Sequence, residues 1–284
     1  AGLWLAPVYK NHDSDSFDAQ GVDYGVDMDL YGVALGADYT LANGVRVGAM
    51  FNVGSGDADG QGVGEGVSND FDYYGFAVYG GYSFGQLSVL ADVSYTVADN
   101  EFDANTSFVS GNYGKISGTA DSTLWSVGVT AQYALDFNGV EIAPHAGLRY
   151  SNLEVDSYQV QSSGQNVANF DTDSMSIFSI PVGVSISSDI AAGSWTIKPA
   201  VDLTLTANVG DDELDGTTTW YDTDAGYGDL SFTSSAEVLD TFTYGATVGI
   251  SAQTGGFSLG LGLNYTGASN ANEYGVQANA RFVF

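Results

Sequence analysis

Six basic side chains and two histidines stand against 35 carboxylates in this 284-residue chain, so ion pairing or acid–base chemistry must be built from few partners. Histidine is the usual general base near neutral pH. His145 shares a face with the small residues Ala143 and Gly147, which reads as a polar group on that face and not as a catalyst. His12-Asp13-Ser14 sets an imidazole near a hydroxyl, the pairing that nucleophilic hydrolysis needs. Hard oxygen ligands occur in GDADGQGVGEG, with Asp57, Asp59 and Glu65, and in DDELDG, from Asp211 to Asp215. Neither has the full EF-hand spacing, so no cofactor is expected beyond weak calcium association with these acidic stretches. Most numerous are charges on one face of alternating segments: Arg46, Arg149, Lys198 and Arg281 with Asp38, Asp92, Glu141 and Asp202. Opposite charges facing one another would make an ion-pair network.

Composition narrows the function classes further. With 6 Lys+Arg and 35 Asp+Glu the formal net charge is −29, which would repel a phosphate backbone and excludes nucleic acid as a partner. The chain has no Cys, so thiolate chemistry, thiolate metal sites and disulfides are impossible. It is 44% hydrophobic and 13% aromatic, too rich for a disordered acidic chain. No run of 18 apolar residues marks a transmembrane helix. The opening Ala1-Gly2, without Met or an apolar leader, predicts a processed product or an excised piece.

The elements that must position these charges are strands. Period-2 alternation runs from end to end: Val45, Val47, Ala49, Phe51 and Val53 interleave with Arg46, Gly48, Met50, Asn52 and Gly54. Phe257, Leu259, Leu261, Leu263 and Tyr265 interleave with Ser258, Gly260, Gly262 and Asn264. Twelve such segments begin near Gly2, Gly25, Val45, Asp70, Leu87, Ser122, Val140, Asp173, Trp195, Val238, Phe257 and Glu273. Their connections alternate. Short ones fall at Ala42-Asn43-Gly44, Gly85-Gln86, Asp136 to Gly139, Ser187 to Ser194 and Gln253 to Gly256, rich in turn formers. Long, Asp-rich ones are expected at Asn11 to Asp23, Gly54 to Asn69, Asp99 to Gly118, Ser157 to Thr172 and Gly210 to Ser235.

A soluble β-sandwich alternates too, so strand length and chemistry decide. Apolar stretches of roughly 9–11 residues suit tilted membrane strands, whereas soluble strands run about 5–6. The apolar faces carry aromatics at both ends: Tyr31 and Tyr39, Trp125 and Tyr133, Phe257 and Tyr265, with Trp195 also on this face, as two interfacial girdles would. The expectation is a twelve-stranded antiparallel transmembrane β-barrel spanning residues 1–284 as one domain, with short periplasmic turns and long acidic extracellular loops. Closure must pair the first strand with the last, because open edges cannot lie in hydrocarbon. The eight charges named above then line the pore. Lys115 falls in a loop, and the facing of Lys10 is ambiguous. The acids other than Asp38, Asp92, Asp136, Glu141, Asp189 and Asp202 crowd the long loops.

On these residues the chain resembles the C-terminal β-barrel translocator domain of the autotransporter (type V secretion) family. The resemblance rests on GLWLAPVYK, YGVALGADYTLANGVRVGAMF, IAPHAGLRYSNLEVDSY, WTIKPAVDLTLT and NANARFVF, with Gly36 to Asp38 and Pro144 to Tyr150 the more specific stretches. It implies a Gram-negative outer-membrane anchor that passes an N-terminal passenger to the cell surface. Implied partners are the passenger and its linker helix, the barrel-assembly machinery reading Phe282 and Phe284 as an assembly signal, and the surrounding lipid and lipopolysaccharide. The family's linker precedes the first strand, and here the sequence opens on that strand. Two competing functions are a passive porin, cation-selective through its acidic mouth, and a surface adhesin barrel. His12-Asp13-Ser14 also resembles the His-x-Ser of outer-membrane phospholipases, but it lies in the first long loop and lacks the Ser-Asn-Gly that should follow, so no enzyme is expected.

Overall fold

The computed structural model describes residues 1–105, 114–221 and 228–284. Among these every regular element is a strand, eighteen in chain order. Twelve close a ring: β1 (Gly2–Ala19), β2 (Val22–Thr40), β3 (Arg46–Gly62), β4 (Val67–Phe84), β5 (Leu87–Asn105), β6 (Lys115–Tyr133), β8 (Val140–Val155), β11 (Met175–Ser188), β13 (Trp195–Gly210), β16 (Phe242–Thr254), β17 (Phe257–Ala268) and β18 (Ala271–Val283). Each pairs antiparallel with the next, and β1 pairs with β18 from Gly2↔Val283 to Ser14↔Ala271, so no edge is left in the spanning region. The termini close the seam, with Ala1 donating to the Phe284 carbonyl at 3.2 Å. Two stubs extend the short turns: β7 (Leu135–Phe137) and β12 (Ile190–Ala192). Four further strands stand at the opposite end: β9 (Tyr158–Ser162), β10 (Gln165–Thr172), β14 (Glu213–Trp220) and β15 (Leu230–Glu237).

Eleven of the twelve expected starts agree with the ring strands to within four residues, and β6 begins at Lys115, seven residues before the expected Ser122; the strands run much further at the long-connection end. Asn11 to Asp23 is not a loop: β1 and β2 continue to a two-residue turn at Gln20-Gly21, with φ 56° and 83°. Asn138-Gly139 and Ser163-Gly164 turn with the same pair of positive φ values, the type I′ geometry whose twist matches the flanking strands. Most of Gly54 to Asn69 and of Ser157 to Thr172 is likewise strand. Laddering satisfies the backbone there more completely than an irregular loop would. Parts of the connections expected at Asp99 to Gly118 and Gly210 to Ser235 lie outside the described residues.

Reading up a strand shows why the two ends differ. On β2 the outward residues are Tyr39, Ala37, Leu35, Val33 and Tyr31, and the inward ones Asp38, Gly36, Ala34 and Gly32. Above Tyr31 the faces exchange character. Asp29 and Asp27 continue the outward face, while Leu30, Met28, Val26 and Tyr24 continue the inward one. β4 does the same, with Val78, Phe76 and Tyr74 outward, then Asp72 and Asp70, against inward Tyr73 and Phe71. On β5, outward Val93 and Tyr95 give way to Asp99 and Glu101, while Phe102 points in. The lower tier is apolar outside and polar inside, as lipid demands. In the upper tier the order is that of a water-soluble barrel.

Candidate functional site

The lower tier places the predicted charges in its lumen and joins them by a repeated device. Arg281 on β18 reaches over β1 to Asp38 on β2, with Nη1 donating to Oδ2 at 2.6 Å and Nη2 to Oδ1 at 2.5 Å. The strand between carries Gly2, where an added Cβ would stand 2.6 Å from the guanidinium. Arg149 on β8 crosses β6 in the same way, donating to Asp92 on β5 at 2.7 and 2.9 Å. Beneath it lies Gly128, whose Cβ would come within 2.5 Å of Nη2. His145 on β8 crosses β11 at Gly183 to meet Asp202 on β13, Nε2 to Oδ2 at 2.7 Å. Thus each pair staples three strands, and glycine on the middle strand is what lets the side chain lie flat across it.

Asp38 is the most heavily engaged acid. Its side chain is only 4% exposed, and besides Arg281 it accepts from Arg46 Nε at 3.1 Å and from the Tyr79 hydroxyl at 3.3 Å. Tyr79 in turn accepts from Trp4 Nε1 at 2.9 Å, so five side chains across β1, β2, β3, β4 and β18 share one network. A carboxylate buried this deeply needs such company, since desolvating an unpaired charge is expensive. Asp202 also accepts from Ser185 and from Thr204 Oγ1, the latter at 2.7 Å. Lys198 and Glu141 are looser, 3.7 Å apart and each about 40% exposed, a contact worth little.

All eight predicted lumen charges therefore have a charged or imidazole partner. Strand parity alone missed Lys10, which pairs with Glu273 on β18 at 2.9 Å. It also missed the Trp4–Tyr79 tie and His145 as the partner of Asp202. Inward parity was readable for the eight charges and for His145 but not for Lys10, and pairing depends on which strands lie two apart around the ring. Lys115, expected in a loop, begins β6 and pairs with Asp103 at 2.8 Å.

The predicted aromatics fall on the lipid-facing side at two heights. Trp125 meets Tyr150, which meets Phe178, with centroids 5.1 and 4.9 Å apart; Tyr244, Tyr265 and Tyr274 form a second run at 6.1 and 5.1 Å. Near the short turns Trp195 contacts Phe257, and Phe282 stacks on Phe284 at 6.0 Å. Tyr31, Tyr39 and Tyr133 are exposed on the same outer surface. Asp57 and Asp59 project outward from β3, and Glu65 sits in the turn beyond it. Among the described residues no three carboxylates or imidazoles converge as metal ligands would.

A closed antiparallel ring with an apolar belt outside and paired charges inside is an outer-membrane β-barrel. More narrowly, the chain belongs to the autotransporter β-domain family: the family model "Autotransporter beta-domain" matches residues 3–265. No curated protein matches the sequence. Among solved structures, the translocator domain of autotransporter NalP from Neisseria meningitidis superposes with a TM-score of 0.68 at 14% identity, covering 100% of this chain and 89% of that one. The β domain of the Bordetella autotransporter BrkA gives 0.69 at 16% identity, covering 100% of both. The transport unit of AIDA-I from Escherichia coli gives 0.70 at 12%, covering 99% of this chain and 90% of that one. At such identities these likenesses show a shared fold. The barrel thus lies in the outer membrane of a Gram-negative bacterium and serves passenger secretion by the type V route.

Proposed function

We propose that this barrel anchors and exports a passenger joined upstream of Ala1, whose linker lies in the lumen along the stapled charges. The observation that carries the reading is the lower-tier lumen, where a small-residue face of Gly, Ala and Ser alternates with charges that each already have an ion-pair or hydrogen-bond partner. A polar linker meets there a wall whose named charges already have partners and so needs little desolvation. The lumen charges Asp38, Arg46, Asp92, Glu141, Arg149, Lys198, Asp202 and Arg281 hold the wall rigid around it. Phe282 and Phe284, lipid-facing on the last strand, serve as the assembly signal for the insertion machinery. The outer girdle meets lipid and lipopolysaccharide.

The chain performs no catalysis of its own in this reading. Ser14 is committed to the Val26 backbone, accepting from its N–H at 2.9 Å and donating to its carbonyl at 3.3 Å, so its hydroxyl is already engaged. Cations associate with the acidic outer face only as a diffuse, exchangeable layer. The test is a protease-sensitive reporter fused before Ala1 and scored for cleavage by external protease on intact cells. Surface cleavage supports export. A reporter retained in the periplasm behind a correctly assembled barrel overturns it in favour of a passive porin.

A further inference from the structure

The upper tier is a smaller ring than the one below. β1 to β6 continue into it, but β8, β11, β13, β16, β17 and β18 end, and only β9, β10, β14 and β15 take their place. β6 pairs with β9 at Ile116↔Ser162, β9 with β10, β10 with β14 from Ala168↔Trp220 to Thr172↔Gly216, and β14 with β15. Ten staves thus stand above twelve, and a barrel narrows as strands are lost until side chains fill it.

Apolar groups occupy this narrowed interior. Phe102 stacks on Tyr158 at 5.3 Å, and Tyr158 meets Phe170 at the same distance. Phe17, Ala120, Val167, Ala168 and Met175 are all 6% exposed or less, and they make up most of the buried apolar residues among those described. Between β15 and β1, however, no backbone ladder is recorded among the described residues. That joint is made by side chains: Gln20 Nε2 to the Thr233 carbonyl at 3.3 Å, the Asp18 N–H to Glu237 Oε2 at 3.4 Å, and the Tyr24 hydroxyl to the Glu237 carbonyl. Just below, the chain is pinned. Buried Asp240 accepts from the Asn270 N–H at 3.2 Å and from its Nδ2 at 2.8 Å, while Asn208 Nδ2 donates to the Asp240 carbonyl at 2.9 Å.

We propose that the upper tier is a gate: its apolar core closes the outer mouth at rest, and it opens along the β1–β15 seam, with β15 and the strands laddered behind it, β14, β10 and β9, bending outward together above the anchor at Asp240. A laddered joint would need many backbone hydrogen bonds broken together, whereas among the described residues this one releases three. The inference rests on the barrel being a conduit, and it adds that the conduit is shut by its own wall when no chain is passing.

With no native Cys, an Asp18→Cys, Glu237→Cys pair can be bridged selectively by a short bismaleimide. The purified barrel, verified as folded by heat-modifiable mobility, is placed in planar bilayers. The parent should show rare openings, a Gln20→Ala, Tyr24→Phe variant several-fold more, and the bridged pair none. A parent that conducts continuously, or three proteins with equal open probability, overturns the gate. Failure here with the reporter still displayed leaves export standing. Normal gating without display removes export and leaves the gate.

Discussion

Arg281 and Asp38 lie 243 positions apart in sequence, yet form a two-pronged ion pair across the strand that contains Gly2. The pair crosses the seam where the last strand meets the first, so it fastens three strands at the place where the barrel closes. Bidentate charge-assisted contacts in a site shielded from water are the strong kind, and Asp38 is nearly inaccessible.

Removing the guanidinium should therefore weaken the closed barrel. Arg281→Ala is expected to cost about 1.5–3 kcal/mol, the range for hydrogen bonds to charged groups, because Arg46 still serves Asp38. Urea unfolding in detergent, followed by Trp fluorescence, measures this. Asp38→Ala, which strands both arginines, should cost more.

The staple device makes a second, steric prediction. Gly128→Val places a side chain where the Arg149 guanidinium crosses β6, so the Arg149–Asp92 pair must break while lipid-facing residues stay put. Assembly should slow and stability fall. Asp92→Asn added to Gly128→Val should then cost little more, since the contact is already lost, and a double-mutant cycle reads that coupling.

Alkali should act on the upper tier first. Burial holds the Tyr158 phenol above the ordinary tyrosine value, and burial together with Glu237 does the same to Tyr24. A raised folded value means the unfolded chain ionises first, so the stabilisation is complete below about pH 10 and disappears as pH climbs through the folded values. Tyrosinate absorbance during an alkaline titration should show a late, cooperative step, and Tyr158→Phe should shrink it.

The acidic outer face should likewise lose stability as pH rises, in a lower pH range, and should regain it with salt. Asp57 is raised by desolvation and then by Asp29, Asp59, Asp70 and Asp27. Its contribution is present below the usual carboxylate range and lost as pH rises through the raised value, so at neutral pH it opposes folding. Asp57→Asn should raise the melting temperature slightly. Calcium and magnesium should raise it equally, by screening; a saturable effect of calcium alone would reveal a specific site.

Insertion supplies the fifth prediction. Phe282→Ser, Phe284→Ser should lower the yield of heat-modifiable barrel in the outer membrane without altering the unfolding midpoint of the fraction that assembles, because both rings point into lipid and not into the lumen pairs.

Much of this architecture was legible in the alternation itself. Residues such as Val47, Ala49 and Phe51 against Arg46, Gly48 and Met50 define two faces because strand geometry sends neighbours to opposite sides. The extended strands above the girdle were harder. Asp27-Met28-Asp29-Leu30 and Glu101-Phe102-Asp103 alternate as strictly as the membrane segments. Their aspartates, however, carry the usual look of loops, and an outward acid with an inward apolar residue reverses the lipid-facing pattern.

The sequence by itself determined the strand faces, the hairpin order, the closure of first on last and the inward side of Arg46, Arg149, Lys198 and Arg281. Those follow from local backbone geometry and from the cost of an open edge in hydrocarbon. Only the tertiary structure decided which charge meets which, because Arg281 and Asp38, Arg149 and Asp92, and His145 and Asp202 are neighbours through ring closure and shear, with a glycine between that sequence spacing does not single out. It also decided that the acidic end is a second, narrower tier with its own apolar core, since that core exists only where strands far apart in sequence converge.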